Sequence, residues 1–156
     1  MGSLILPIPS GNLATSMLGI WWLQSREDFT KDGQKRIDPA LGADPIGILC
    51  YADAHFAAQF MKRDRTGNPG NSISYSGINN TMAVGGYDAY FGTYEVNEEN
   101  GTVAHTLIGS VTPANIGITV SRNLRVIDDQ LIIQLETTTP EAEPIIRTLV
   151  WKRISS

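Results

Sequence analysis

Few side chains in this sequence can move a proton near neutrality, and they lie far apart in the chain. His105 sits in Val103-Ala104-His105-Thr106-Leu107, in phase with Val103, Leu107 and Val111 if the segment is a strand. An imidazole titrating near ~6.5 among apolar neighbours suits a general base. The competing reading is a core histidine bonded to a backbone carbonyl. His55 abuts a hairpin turn and reads as solvated. Arginines outnumber lysines eight to four, and the planar guanidinium fork stabilises carboxylates and enolates. Arg122 shares a phase with Leu124 and Val126, and Arg63 continues the face of Gln59 and Met61. Each is either an interior oxyanion partner or half of a salt bridge at the mouth of a closed sheet. Lys62, Arg63 and Arg65 form a small basic patch that would draw an anion or merely solvate a strand end. Tyr51, Gln59 and Tyr94 are polar groups in otherwise apolar strands, the sparse contacts that orient a ligand in an apolar pocket. Glu95 has the opposite phase to Tyr94; if Tyr94 faces solvent, Glu95 becomes a buried carboxylate and a second base candidate. The catalytic candidates are thus His105, Arg122 and Glu95, with Tyr51, Gln59, Arg63 and Tyr94 as substrate contacts.

No motif supplies ready-made chemistry. A Gly-x-Ser-x-Gly elbow, a phosphate loop, a dinucleotide fingerprint and a His-Glu-x-x-His pair are all missing. Two histidines far apart and one cysteine, Cys50, argue against a histidine or multi-cysteine metal site, while a carboxylate-assisted one stays open. The expectation is therefore no metal and no cofactor, leaving cofactor-free chemistry or simple binding.

Positioning these groups falls to strands. Gly19 onward fits a first strand, with Trp21, Leu23 and Ser25 facing inward and Trp22, Gln24 and Arg26 outward. Asp32-Gly33 makes a turn, and residues 38–45 are loop. Ile46–Ala52 and Phe56–Arg63 form a hairpin across Asp53-Ala54. The Gly-, Asn- and Ser-rich stretch Arg65–Asn80 reads as a long loop of the kind used as a lid. Thr81–Tyr90 is assigned one short helix, with Met82, Tyr87, Tyr90 and Phe91 as packing residues, although Gly85-Gly86 opposes it. Asn100-Gly101 between strand-like runs is the strongest hairpin signal. Val103–Val111, Thr119–Ile127, Gln130–Thr137 and Ile146–Ile154 complete the set, with Asp128-Asp129 as another tight turn. About eight short antiparallel strands joined by hairpins, with one short helix or lid and no βαβ spacing, describe an up-and-down barrel of mainly β class.

The chain has 156 residues, enough for one domain: residues 1–16 read as a flexible leader and 17–154 as a single barrel. Hydrophobic residues make up 42%, which supplies a real core and excludes disorder as the state of the whole chain. A net charge of −4 argues against nucleic acid as a partner. No apolar run approaches a membrane span, and no signal peptide or myristoylation pattern opens the chain, so the expected setting is soluble and cytoplasmic.

Several segments resemble one family. Gly19-Ile20-Trp21 is similar to the Gly-x-Trp signature of lipocalins. Asp44–Tyr51, Phe56–Arg65, Gly86–Val96, then His105 with Gly109-Ser110 and Pro113, and finally Leu149-Val150-Trp151-Lys152-Arg153 resemble the small lipocalin-like domain proteins over residues 17 to 154. The most specific piece is Tyr87-Asp88-Ala89-Tyr90-Phe91-Gly92-Thr93-Tyr94-Glu95-Val96. The chain departs from the pattern at Asp53-Ala54-His55, where the family has Asp-Gly, and in its glycine-rich segment before Tyr87. The resemblance implies a lipocalin-like barrel with Trp21 and Arg153 stacked at its closed end. Members occur in bacteria and fungi, and some fungal ones look like tailoring cyclases or isomerases of polyketide pathways, including α-pyrone formation in aurovertin-type polyenes.

Two functional readings follow. One is a cofactor-independent cyclase or isomerase acting on a hydrophobic polyketide inside the barrel, with α-pyrone lactonisation as an example. The other is a carrier that binds a small hydrophobic molecule without chemistry. A third, weaker reading is a homodimer formed through an exposed Trp22.

Overall fold

Period-two alternation of apolar side chains builds one antiparallel sheet that closes on itself. The computed structural model describes residues 12–65, 73 and 77–156. Its strands are β1 (Gly19–Thr30), β2 (Lys35–Arg36), β3 (Ile46–Ala52), β4 (His55–Met61), β5 (Tyr87–Asn97), β6 (Thr102–Ser110), β7 (Thr119–Ile127), β8 (Gln130–Thr138) and β9 (Pro144–Ser155). Each pairs with the next in space in the order β2-β1-β3-β4-β5-β6-β7-β8-β9, and β9 returns to β1. Eight strands therefore close a barrel, and the two-residue β2 rides on the end of β1. This is the mainly β, up-and-down barrel expected from the hairpin punctuation. The tight turns use the left-handed backbone such hairpins need: φ is 61° at Ala54, 71° at Gly101 and 53° at Asp128.

Two local expectations are corrected. Thr81–Tyr90 is not a helix; Tyr87–Asn97 is one continuous strand, paired with β4 from Tyr87↔Met61 and with β6 to Asn97↔Thr102. Gly85 and Gly86 have φ of 55° and 82°, which a right-handed helix cannot accommodate, and the tyrosines beyond them suit a pleated surface. The short α-helix, α1 (Leu13–Ser16), lies instead inside the stretch assigned to the leader, whose residues 1–11 fall outside the described residues. Most of the Arg65–Asn80 loop likewise falls outside them.

The second correction concerns β1. Leu23 pairs with Trp151 and Ser25 with Val150, so one extra residue bulges out of β1. A one-residue slip exchanges the two faces of a strand. Trp21 and Leu23 point inward before the bulge, and Asp28 and Thr30 are buried after it. The phase expected to hold throughout, with Arg26 outside, is reversed halfway along.

One end of the barrel is plugged. The Glu98 carboxylate accepts hydrogen bonds from the Leu13 and Ala14 amides, each at 2.9 Å, at the start of α1. Leu13 and Met17 are buried beneath it, and the Trp21 indole donates to the Met17 carbonyl at 2.9 Å. The Arg153 guanidinium lies 4.2 Å over the Trp21 ring and donates to the Ser16 and Leu18 carbonyls at 2.7 Å each. Trp21, Trp151, Leu107, Leu124 and Leu131 are fully buried, each such side chain contributing roughly 1.5–3 kcal/mol. Among the described residues no helix is long and apolar enough to cross a membrane.

Candidate functional site

Three strands deliver polar side chains into this apolar interior. On β6 the buried phase is Val103, His105 and Leu107; on β3 it is Gly47, Leu49 and Tyr51; on β7 it is Val120, Arg122 and Leu124. The Tyr51 hydroxyl and His105 Nε2 are 2.5 Å apart. Phe56 meets the imidazole edge-on at 4.6 Å, and Tyr94 packs against Tyr51 at 5.1 Å in the same manner. Burial, reinforced by the Arg122 charge, drives the His105 pKa down to about 3, so the ring is neutral at ordinary pH. Burial also raises the Tyr51 phenol well above its usual range. A neutral phenol donating to Nε2 leaves the imidazole proton on Nδ1, and Nδ1 is buried with no hydrogen-bond partner among the described residues. An interior donor without a partner costs about 1–3 kcal/mol unless something supplies an acceptor.

Toward the end opposite α1, the interior becomes charged. The Arg147 guanidinium grips Asp28 with two bonds, Nε–Oδ1 at 2.7 Å and Nη2–Oδ2 at 3.0 Å. Arg26 pairs with Asp38 at 2.9 Å, and Arg147 stands 3.7 Å from the same carboxylate. Burial opposes ionisation of Asp38, but the two guanidiniums and the Ala40 amide outweigh it and hold its pKa below the usual range. Asp88 differs. Burial raises its pKa to about 6 despite the hydrogen bond from the Thr81 hydroxyl at 2.5 Å, and its Oδ1 has no partner among the described residues.

Arg122 differs too. Its Nη1 donates to the Asn79 and Ser121 carbonyls at 2.9 Å each, and among the described residues no carboxylate stands within ion-pair distance. Burial lowers its pKa to about 10, which still leaves it cationic at neutral pH. Arg26, Asp38, Asp88, Tyr90, Arg122 and Arg147, with apolar side chains such as Phe60 and Leu135, line a cavity of about 60 Å³. That space is well below the ~300 Å³ or more that a whole drug-sized molecule fills.

The strap of residues 77–86 crosses this end. Asn79 and Ser121 exchange two hydrogen bonds, Nδ2 to carbonyl at 3.2 Å and amide to Oδ1 at 3.0 Å, and the Thr137 hydroxyl donates to the Ile78 carbonyl at 2.5 Å. Gly77 lies so close to β8 that a Cβ there would stand 2.0 Å from the Thr138 carbonyl oxygen.

The structure gathers Tyr51, His105 and Arg122 in the interior and leaves Tyr94 half-buried, its hydroxyl donating to the Ala52 carbonyl at 2.7 Å. Gln59, Arg63 and Glu95 are corrected to the outer face. Gln59 alternates with the buried Phe56, Ala58 and Phe60 and bonds Tyr87 outside; Arg63 pairs with Asp44 at 3.2 Å in solvent; Glu95 is exposed, since its neighbours in sequence, Tyr94 and Val96, pack toward the core. The residues missed were Arg26, Asp28, Asp88 and Arg147. Arg147 was detectable, being in phase with Ile145, Leu149 and Trp151. Arg26 and Asp28 were hidden by the bulge, and Asp88 by the helix assignment.

A family model described as a lipocalin-like domain matches residues 18–154. No curated protein matches the chain.

Proposed function

The chain belongs to the lipocalin-like domain family, and we propose that its barrel binds a small hydrophobic molecule and acts on it as a cofactor-independent cyclase or isomerase, with a polyketide as the substrate class. The observation that carries the reading is the buried Tyr51–His105 pair: a neutral imidazole with an unpartnered Nδ1, close enough to Arg122 to feel its charge, in a barrel interior that excludes bulk water. In lactonisation to an α-pyrone, the enol oxygen of a poly-β-keto chain attacks the terminal acyl carbon. The new C–O bond forms as the bond to the leaving group breaks. His105 acts through Tyr51, whose hydroxyl passes its own proton to Nε2 as its oxygen accepts the enol proton, and the same relay returns a proton to the leaving group, while Arg122 offsets the negative charge on the acyl oxygen. Holding a flexible chain folded for attack supplies much of the acceleration. Tyr51 positions the imidazole, and Tyr94 packs against Tyr51.

A carrier without chemistry is the second reading. Its specific support is the depressed His105 pKa of about 3, which makes the unliganded imidazole a weak base. The deciding experiment compares metabolite profiles of the producing cells with wild-type protein, with His105→Ala and with no protein. The catalytic reading expects a cyclised or isomerised product that needs the wild-type chain and disappears in a variant whose circular dichroism is unchanged. An identical profile without the protein rejects catalysis and leaves the carrier.

A further inference from the structure

We infer that the molecule bound in the barrel carries an anionic oxygen, a carboxylate or an ionised enol, and that Arg122 is its partner. The inference rests on the reading that the interior binds a ligand, and it specifies the chemical class of that ligand. Arg26 and Arg147 show how this chain handles a buried guanidinium that serves the fold: each has a carboxylate within 3 Å. Arg122 is equally enclosed, at 8% exposure, yet its described partners are two backbone carbonyls, one of them from its own neighbour Ser121. A buried cation without a counter-charge costs several kcal/mol, a cost that a bound anion removes.

A second observation concerns the same cavity. Asp88, 4% exposed, lines it with an Oδ1 that meets no hydrogen-bond donor among the described residues. The Tyr90 ring lines the cavity as well, and its phenol feels the charges of both Asp88 and Arg122. The space thus presents a cation and, apart from it, a carboxyl group able to hydrogen-bond a ligand hydroxyl. This polarity fits a small organic acid with an apolar tail. An anion at Arg122 would also compete with the Asn79 carbonyl for the guanidinium, loosening one tie of the strap that closes the mouth.

The test is calorimetric titration of the full chain at pH 7.5 with hexanoate and with hexanamide, which matches its shape without the charge. Hexanoate should bind at least tenfold more tightly. Arg122→Gln should bring hexanoate down to the affinity of hexanamide and leave hexanamide unchanged, while Arg122→Lys keeps a preference for the acid. Equal affinities in the wild type overturn the inference and leave interior binding standing. A preference for hexanoate that persists in a folded Arg122→Gln chain also overturns it. If neither probe binds at millimolar concentration, the ligand-binding reading and this inference fall together.

Discussion

Arg147 and Arg122 enter the same cavity from β9 and β7, the two strands that flank β8, with exposures of 5% and 8%, and they differ in what answers their charge. Arg147 is gripped by Asp28 through two bonds and stands near Asp38. Arg122 has carbonyl dipoles alone among the described residues. Desolvation is comparable at the two positions, so the counter-charge separates a guanidinium that ties strands together from one left poised for another partner. Asp88 extends the contrast to anions: Asp28 is neutralised by a cation, whereas Asp88 keeps one oxygen unpartnered and holds its proton to about pH 6.

The sharpest way to break this comparison is Arg147→Met. It strands the Asp28 carboxylate in the interior, so unfolding in urea should show a loss of about 3–5 kcal/mol. Adding Asp28→Asn should recover much of that loss, because no charge then remains to be paired.

A smaller effect is expected at Asp88. Its folded pKa of about 6 lies above the 3.8 of an ordinary aspartate. The proton therefore stabilises the fold below about pH 4, and that contribution is lost as pH rises through 6. Asp88→Asn should abolish this slope, making the variant more stable relative to wild type at pH 8 than at pH 4 by about 3 kcal/mol. Urea midpoints measured across that range would show it, and parallel curves would contradict a buried, proton-holding carboxyl.

The smallest effect is expected from Arg122→Met, within about 1 kcal/mol of wild type, because removing this guanidinium strands no carboxylate and relieves a desolvated charge. A loss matching that of Arg147→Met would place Arg122 among the structural arginines and erase the contrast.

Much of the scaffold was legible from residue order because its signals are local. β3 and β7 run between the residues expected, Ile46–Ala52 and Thr119–Ile127, and Asn100-Gly101 turns the chain where a left-handed backbone is needed. Strand phase also placed His105 with Val103 and Leu107, and Arg122 with Leu124, all of which prove to be buried, whereas Val111, expected in phase with His105, lies past the end of β6 and is exposed. Phase failed where a non-local event resets it. The bulge that brings Arg26 and Asp28 inside arises from the pairing of β1 with β9, which lie more than a hundred residues apart in the chain. For Gln59 and Arg63, a polar residue in an apolar run looks the same whether it lines a pocket or faces water.

By itself, then, the sequence determined the β class, the hairpins and which residues share a strand face, since turn chemistry and a period of two act between near neighbours. Tertiary structure alone decided which face is inside, that Tyr51 meets His105, and that Arg147 finds a carboxylate while Arg122 does not. Those outcomes depend on register and closure across the barrel, where strands remote in sequence bring their side chains within a few ångströms.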